Sequence, residues 1–200
     1  MQTTSYLPVF PGIATGIRKG RSIYDGYQRG WGLEFGDLKQ KCLEDPDFQA
    51  AHAATRDRSL LMAERALNLF LIVKFFLPKL PAGHIVEYGS YRGGSALFMA
   101  ALAKRLLPGA RVYALDTFEG MPETDASIDA HRAGDFIDTN VEQIREIARE
   151  EKLDNLECVK GLFSDTAPDL LKKIRRVALA HIDCDIQSGV EFSYEVSRPY

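Results

Sequence analysis

No stretch of this sequence is long and apolar enough to cross a bilayer. The most apolar window, ALNLFLIVKFFL from Ala66 to Leu77, falls short of the roughly 20 residues a spanning helix needs, and Lys74 interrupts it. A buried helix or a subunit contact is expected there instead, and a homodimer could form through it. The first residues, MQTTSYLPVFPG, have neither the basic nor the apolar stretch that marks a signal peptide. Excess positive charge is missing too. With 25 Lys and Arg against 28 Asp and Glu the net charge is −3, which argues against a nucleic-acid or anionic-membrane binder. Cysteine is scarce: Cys42, Cys158 and Cys184 are scattered, with no metal-type spacing and no even set to pair. Reduced thiols in a cytoplasmic protein are the simple expectation. Internal repeats and low-complexity tracts are absent as well.

What is there fits one globular unit. A chain of 200 residues with 46% hydrophobic and 26% charged residues can bury a sizeable core. Residues 1–36 are too dense in glycine to support regular structure, and read as a loosely packed arm or as a lid with aromatic contacts. Residues 37–55 look helical but irregular. From Ser59 a strongly helical pattern runs to Leu77 and is ended by Pro78 and Pro81. Residues 1–58 are therefore expected to form an arm and a helical region, and residues 59–200 an α/β domain.

From Ile85 onward, short apolar runs alternate with helical stretches. The runs are HIVEYG, RVYALD, NLECVKG and VALAHIDC. Between them lie SALFMAALAKRLLPG, the amphipathic NVEQIREIAREEKL with Thr139 or Asn140 as its cap, and the short APDLLKKI. Such alternation predicts a parallel sheet with helices on both faces, and the near-continuous apolar strands agree. A long polar loop spans Thr117 to about Thr139.

The loop VEYGSYRGGSA after the first strand is the sharpest chemical signal. In doubly wound folds this loop lies at the topological switch point, where ligands bind. Gly89, Gly93 and Gly94 would let backbone approach a ligand, and the helix start near Gly94 or Ser95 offers unpaired N–H groups. Tyr91 stands where a dinucleotide G-x-G-x-x-G has its second glycine, which disfavours a nicotinamide-dependent oxidoreductase. Glu87 can accept hydrogen bonds from a charged amine. Asp116, ending the second strand, can take the two hydroxyls of a ribose. The competing reading makes the glycines ordinary turn residues and Asp116 a turn cap.

From about Arg65 to Tyr200 the chain resembles class I S-adenosylmethionine-dependent methyltransferases. It looks most like the macrocin-type O-methyltransferases of antibiotic sugar tailoring, and more distantly like catechol O-methyltransferase. IVEYGSYRGGS, RVYALDTFEGMP, VKGLFSDTAPDLL and HIDCDIQS carry the likeness. The resemblance implies a Rossmann-like fold and a methyl transfer from S-adenosylmethionine to a hydroxyl of a sugar or other small natural product. It places Glu87, Gly89 and Ser90 at the methionine end of the cofactor, with Gly93, Gly94 and Ser95 closing that loop and Tyr91 among its cofactor-binding residues. Asp116 would bind the ribose, flanked by Thr117 and Phe118. Phe163 and Ser164, in the loop after the third strand, would bracket the adenine. Asp183 would ligate a divalent metal.

The residues themselves agree on Asp183 and Asp185. If the backbone stays extended through Cys184, both carboxylates point the same way and repel unless a cation or a proton lies between them. Hard oxygen ligands suit Mg2+, with Ca2+ or Mn2+ as alternatives. Asp185 also competes as general base and as a helix cap. His131 is a second candidate base, and His181 reads as a packed core residue. The sequence departs from the family pattern twice. The lysine base of catechol-type enzymes has no counterpart after Asp183. Only four of the family's seven strands can be read, so the sheet is expected to be truncated after the fourth strand, without the acidic pair that completes the metal set. An apolar fourth strand would then be an edge. A partial sequence, completion by another chain, and a catalytically incomplete cofactor-binding fragment follow as alternatives.

Overall fold

A computed structural model of the chain describes residues 38–55, 58 and 63–200. The glycine-rich arm of residues 1–36 lies outside the described residues, as do Ser59 to Met62 at the expected start of the long helix. Four strands form one parallel sheet: β1 (His84–Tyr88), β2 (Val112–Asp116), β3 (Leu156–Lys160) and β4 (Val177–Ile182), in the order β3-β2-β1-β4. Alternate strand residues point to opposite faces, so each strand feeds two cores. Ile85 and Val112 enter one core; Val86, Tyr88, Tyr113 and Leu115 enter the other.

Helices cover both faces, as the alternation predicts. On the first face lie α4 (Gly94–Leu106) and α5 (Val141–Glu150), the latter through Ile144, Ile147 and Ala148. On the second lie α6 (Phe163–Ile174) and α7 (Gln187–Ser197), through Ala167, Leu170, Leu171, Phe192 and Val196. Asn140 caps α5, its side chain accepting from the amides of Glu142 and Gln143. Every residue of α4 from Gly94 to Ala103 is buried, because a further helical layer packs outside it. That layer holds α1 (Leu38–Glu44), α2 (Pro46–Ala54) and α3 (Ala63–Leu71), with Phe48 edge-on to both Phe70 and Phe98. The core therefore runs without a break from Cys42 to the sheet.

Local chemistry explains where the elements start and stop. Asp45 accepts from the amide of Asp47 and Pro46 opens α2, which splits the irregular helical region in two. After α3 the chain continues through a π turn (Ile72–Phe76) and a 3-10 turn (Leu77–Lys79). Leu67, Phe70 and Val73 are fully buried within the chain's own core. Lys74, which interrupts the apolar run, reaches Asp45 at 2.6 Å and Asp47 at 2.9 Å. One boundary differs from the sequence expectation. Pro168 suggests a helix starting near Ala167, yet α6 begins at Phe163 and carries Pro168 inside it. β4 is an edge of the described sheet and all six of its residues are half-buried.

Candidate functional site

The strand order sets the position of the site. From β1 the chain steps outward to β2 and β3, then returns to place β4 on the other side of β1. The loops leaving β1 and β4 therefore diverge, and a crevice opens at their carboxyl ends. A cleft of about 530 Å³ occupies this place. Its first wall is the β1 loop, with Gly89, Ser90, Tyr91, Gly94 and Ser95. Asp116 and Thr117 follow from the end of β2, and Phe163 and Ser164 from the first turn of α6. The opposite wall is the β4 loop, with Asp183, Cys184 and Asp185. The structure thus brings together eleven of the fourteen residues singled out from the sequence. Glu87, Gly93 and Phe118 are not among the residues lining it.

Each of those three has a physical reason to face elsewhere. Glu87 is fully buried; it accepts from Ser90 Oγ and, at 3.1 Å, from His181 Nδ1 on the neighbouring strand. The register sets Glu87 beside His181, so the carboxylate is engaged inside the sheet. Gly93 has a left-handed backbone, φ 78°, and a Cβ there would lie 2.7 Å from Ile144. It serves the close approach of α5. Phe118, at φ 50°, packs into the core at 5% exposure. Phe163 and Ser164 lie at the start of α6 rather than in a loop, a correction to the expectation, because that helix begins a turn earlier than its proline suggests.

Gly89 marks where the two walls meet. A Cβ on it would sit 2.3 Å from the carbonyl oxygen of Asp183, so only glycine lets these loops touch. Asp116 ties the same corner. Its Oδ2 accepts from the amides of Ser90 at 2.8 Å and Tyr91 at 2.9 Å, and its Oδ1 from that of Phe118 at 2.7 Å. A carboxylate offers about four acceptor sites, so backbone already takes most of what a ribose would use.

The two aspartates reach the cleft by a different route from the one expected. β4 ends at Ile182, and Asp185 has a left-handed backbone at φ 61°. Strand alternation therefore does not orient the pair, although both line the cleft. Burial and then the charge of Asp183 push the Asp185 carboxyl above its ordinary range, against the pull of His131 and Arg65. Arg65 Nη1 lies 3.6 Å from Asp183 Oδ1. Among the described residues, no group of three or more His, Cys, Asp or Glu is placed to hold a metal ion. The aspartate pair would supply only part of the six oxygens Mg2+ takes, the remainder falling to water or an acceptor.

Sequence reading missed three contributors. His181 pairs with Glu87 rather than packing as a plain core residue. Burial favours its neutral form, but the hydrogen bond and charge of Glu87, with Asp183 behind, raise its pKa. Arg58 and Arg65 line the cleft from the helical layer, and no local spacing announces them. The Thr117–Thr139 loop forms a roof. Met121 and Asp135 pair through backbone, Tyr91 Oη donates to Asp138 at 2.6 Å, and the Tyr91 and Phe136 rings meet edge-on. From this loop His131 also lines the cleft, 3.3 Å from Asp135.

A parallel sheet of order 3-2-1-4 with its cleft at the switch point defines a Rossmann-like α/β protein. The family model of macrocin-O-methyltransferase (TylF) matches residues 59–193, and the chain belongs to that family. A curated relative from Streptomyces olivaceus, 8-demethyl-8-(2,3-dimethoxy-alpha-L-rhamnosyl)-tetracenomycin-C 4'-O-methyltransferase, is 31% identical over 146 residues, which is 68% of this chain and 55% of the relative. The chain thus spans about half the length of that relative. Among solved structures, the O-methyltransferase NovP is similar with a TM-score of 0.61 at 22% identity, covering 81% of this chain and 74% of NovP. The calicheamicin methyltransferase CalS11 gives 0.56 at 19%, covering 78% and 75%. At these identities the structural likeness shows the fold.

Proposed function

We propose that this chain carries the cofactor cleft of an S-adenosylmethionine-dependent O-methyltransferase acting on a hydroxyl of a sugar or sugar-bearing natural product. The observation that carries the reading is the meeting of the glycine loop after β1 with the Asp183–Asp185 loop after β4 in one cleft. Family membership and the sugar O-methyltransferase among the relatives support it. Bound there, S-adenosylmethionine supplies an activated methyl group. The chain's own residues hold and orient. Glu87 fixes Ser90 through its hydroxyl, and Asp116 fixes the Ser90 and Tyr91 amides, so the floor of the cleft is set before binding. Phe163 offers an apolar wall on the far side.

The acceptor hydroxyl must lose a proton as its oxygen takes the methyl group. Asp185 is the base of choice, because its raised pKa brings it nearer the working pH while it faces the cleft. His131 is the alternative from the roof loop. Asp183 and Asp185 would also be the carboxylates to hold Mg2+ or another divalent cation, which would supply Lewis-acid polarisation of the acceptor hydroxyl. One rival reading is a chain that binds cofactor but does not transfer. Incubation with methyl-labelled S-adenosylmethionine and a panel of sugars and phenols, with and without Mg2+, separates the two. Labelled sugar supports transfer. Binding of S-adenosylhomocysteine without any labelled product would leave the binding-only reading standing.

A further inference from the structure

The helix that follows the aspartate loop has no cap of its own. α7 begins at Gln187, its N-cap residue is Ile186, and no side chain of the cap position bonds its free amides; its first turn holds no acid. An N-terminus of this kind carries unpaired N–H groups and a partial positive charge. Here the missing acceptor comes from 58 positions away. Asp129 Oδ1 accepts from the Gln187 amide at 2.9 Å, while Asp129 Oδ2 accepts from the Asp125 amide at 2.9 Å. Asp125 in turn accepts from the amide and hydroxyl of Ser127. Asp129 is thus seated in a turn of its own loop and reaches out of it by one bond. Gln187 lies two residues after Asp185, whose backbone is left-handed and so sensitive to where the helix starts. Asp129 is absent from the cleft lining, whereas its loop lines the cleft through Met121, Pro122, Glu123 and His131.

We propose that Asp129 is a positioning residue that couples the roof loop to the Asp183–Asp185 loop, so that covering the acceptor end and setting the two carboxylates are one event. The proposal rests on the methyltransferase reading for its chemical meaning, but its mechanical part does not. A lid on its own tether could move freely over the cleft; a lid whose carboxylate caps the neighbouring helix cannot move without uncapping it.

Hydrogen–deuterium exchange on the full chain tests this, with Asp129→Ala compared to the unaltered protein and to Asp125→Ala. Loss of the cap bond is expected to speed exchange of the segment 183–190 roughly fivefold, as removal of an N-cap does, with residues 85–95 unchanged. Asp125→Ala should loosen the roof loop and leave 183–190 nearly as slow as before. With S-adenosylhomocysteine added, the unaltered chain should gain protection in 121–136 and 183–190 together. In Asp129→Ala the roof loop should no longer respond. Unchanged exchange of 183–190 in Asp129→Ala, or a roof loop that still responds to the same degree, would overturn the coupling. Failure of the unaltered chain to bind S-adenosylhomocysteine would count against the methyltransferase reading alone, since the ligand-free comparison still decides whether Asp129 ties the two loops.

Discussion

Replacing Gly89 by alanine tests the junction on which the cleft depends. The added Cβ would meet the Asp183 carbonyl oxygen at 2.3 Å, its carbon at 2.8 Å and Cys184 Cα at 3.0 Å, all of them backbone atoms. Ordinary contact begins near 3.4 Å, so one loop must retreat by about 1 Å, a shift of the size that costs on the order of 100-fold in catalysis. Two energies add. The positive φ of 89° costs an alanine about 1–2 kcal/mol, and the overpacking costs about 1–3 kcal/mol more. The sum is about 2–5 kcal/mol, so at roughly 2–4 °C per kcal/mol for a chain of this size the melting temperature should fall by about 4–20 °C. Gly109→Ala is the control, because Gly109 has φ 83° with nothing within 4 Å of the added atom. It carries the conformational cost without the clash, and the difference between the two variants isolates the contact. Circular dichroism melts give the stability and calorimetry with S-adenosylhomocysteine gives the affinity. If Gly89→Ala melts no lower than Gly109→Ala and binds as well as the unaltered protein, the β1 and β4 loops do not meet as described.

The remaining predictions concern charge. Glu87→Ala leaves His181 buried without its carboxylate and should cost about 3–5 kcal/mol by urea denaturation. Because the His181 pKa is raised in the fold, the pair's contribution is complete below the ordinary histidine value and is lost as pH rises through the raised one; Glu87→Gln should flatten that slope. On the acid side, the Asp47 pKa is lowered by Lys74 and Arg105 in spite of burial. Its stabilisation is present above the ordinary aspartate value and fades as pH falls through the lowered one, so Asp47→Asn should cost about 1 kcal/mol at neutral pH and less in acid. Asp185→Asn should slow methyl transfer by about 10²–10⁴-fold while S-adenosylhomocysteine affinity stays within a few-fold, and wild-type activity should fall in acid as the Asp185 carboxylate takes up a proton.

Much of the fold was legible because parallel strands buried on both faces appear as unbroken apolar runs, and all four were found where HIVEY, VYALD, LECVK and VALAHI stand. Asn140 was visible as a cap because capping is a local bond. The start of α6 was misplaced because Pro168 imitates a helix start while the packing of Phe163 and Ala167 carries the helix across it. The site was legible as a set of loops but not as a set of bonds. Nothing near Glu87 in sequence reveals that its partner is His181, 94 residues away. Nor could the sequence show that Asp116 holds the β1 loop by its amides, or that Arg65 faces Asp183. These pairings follow from strand order and register, which local pattern does not encode.

On the proposed function, the crevice between β1 and β4 takes S-adenosylmethionine. Isothermal titration of S-adenosylhomocysteine and, separately, NADH into the full chain tests it most directly. One site for S-adenosylhomocysteine is expected, tighter than any site for NADH and weakened by Gly89→Ala more than by Gly109→Ala. No heat from S-adenosylhomocysteine, or tighter binding of NADH, would contradict it.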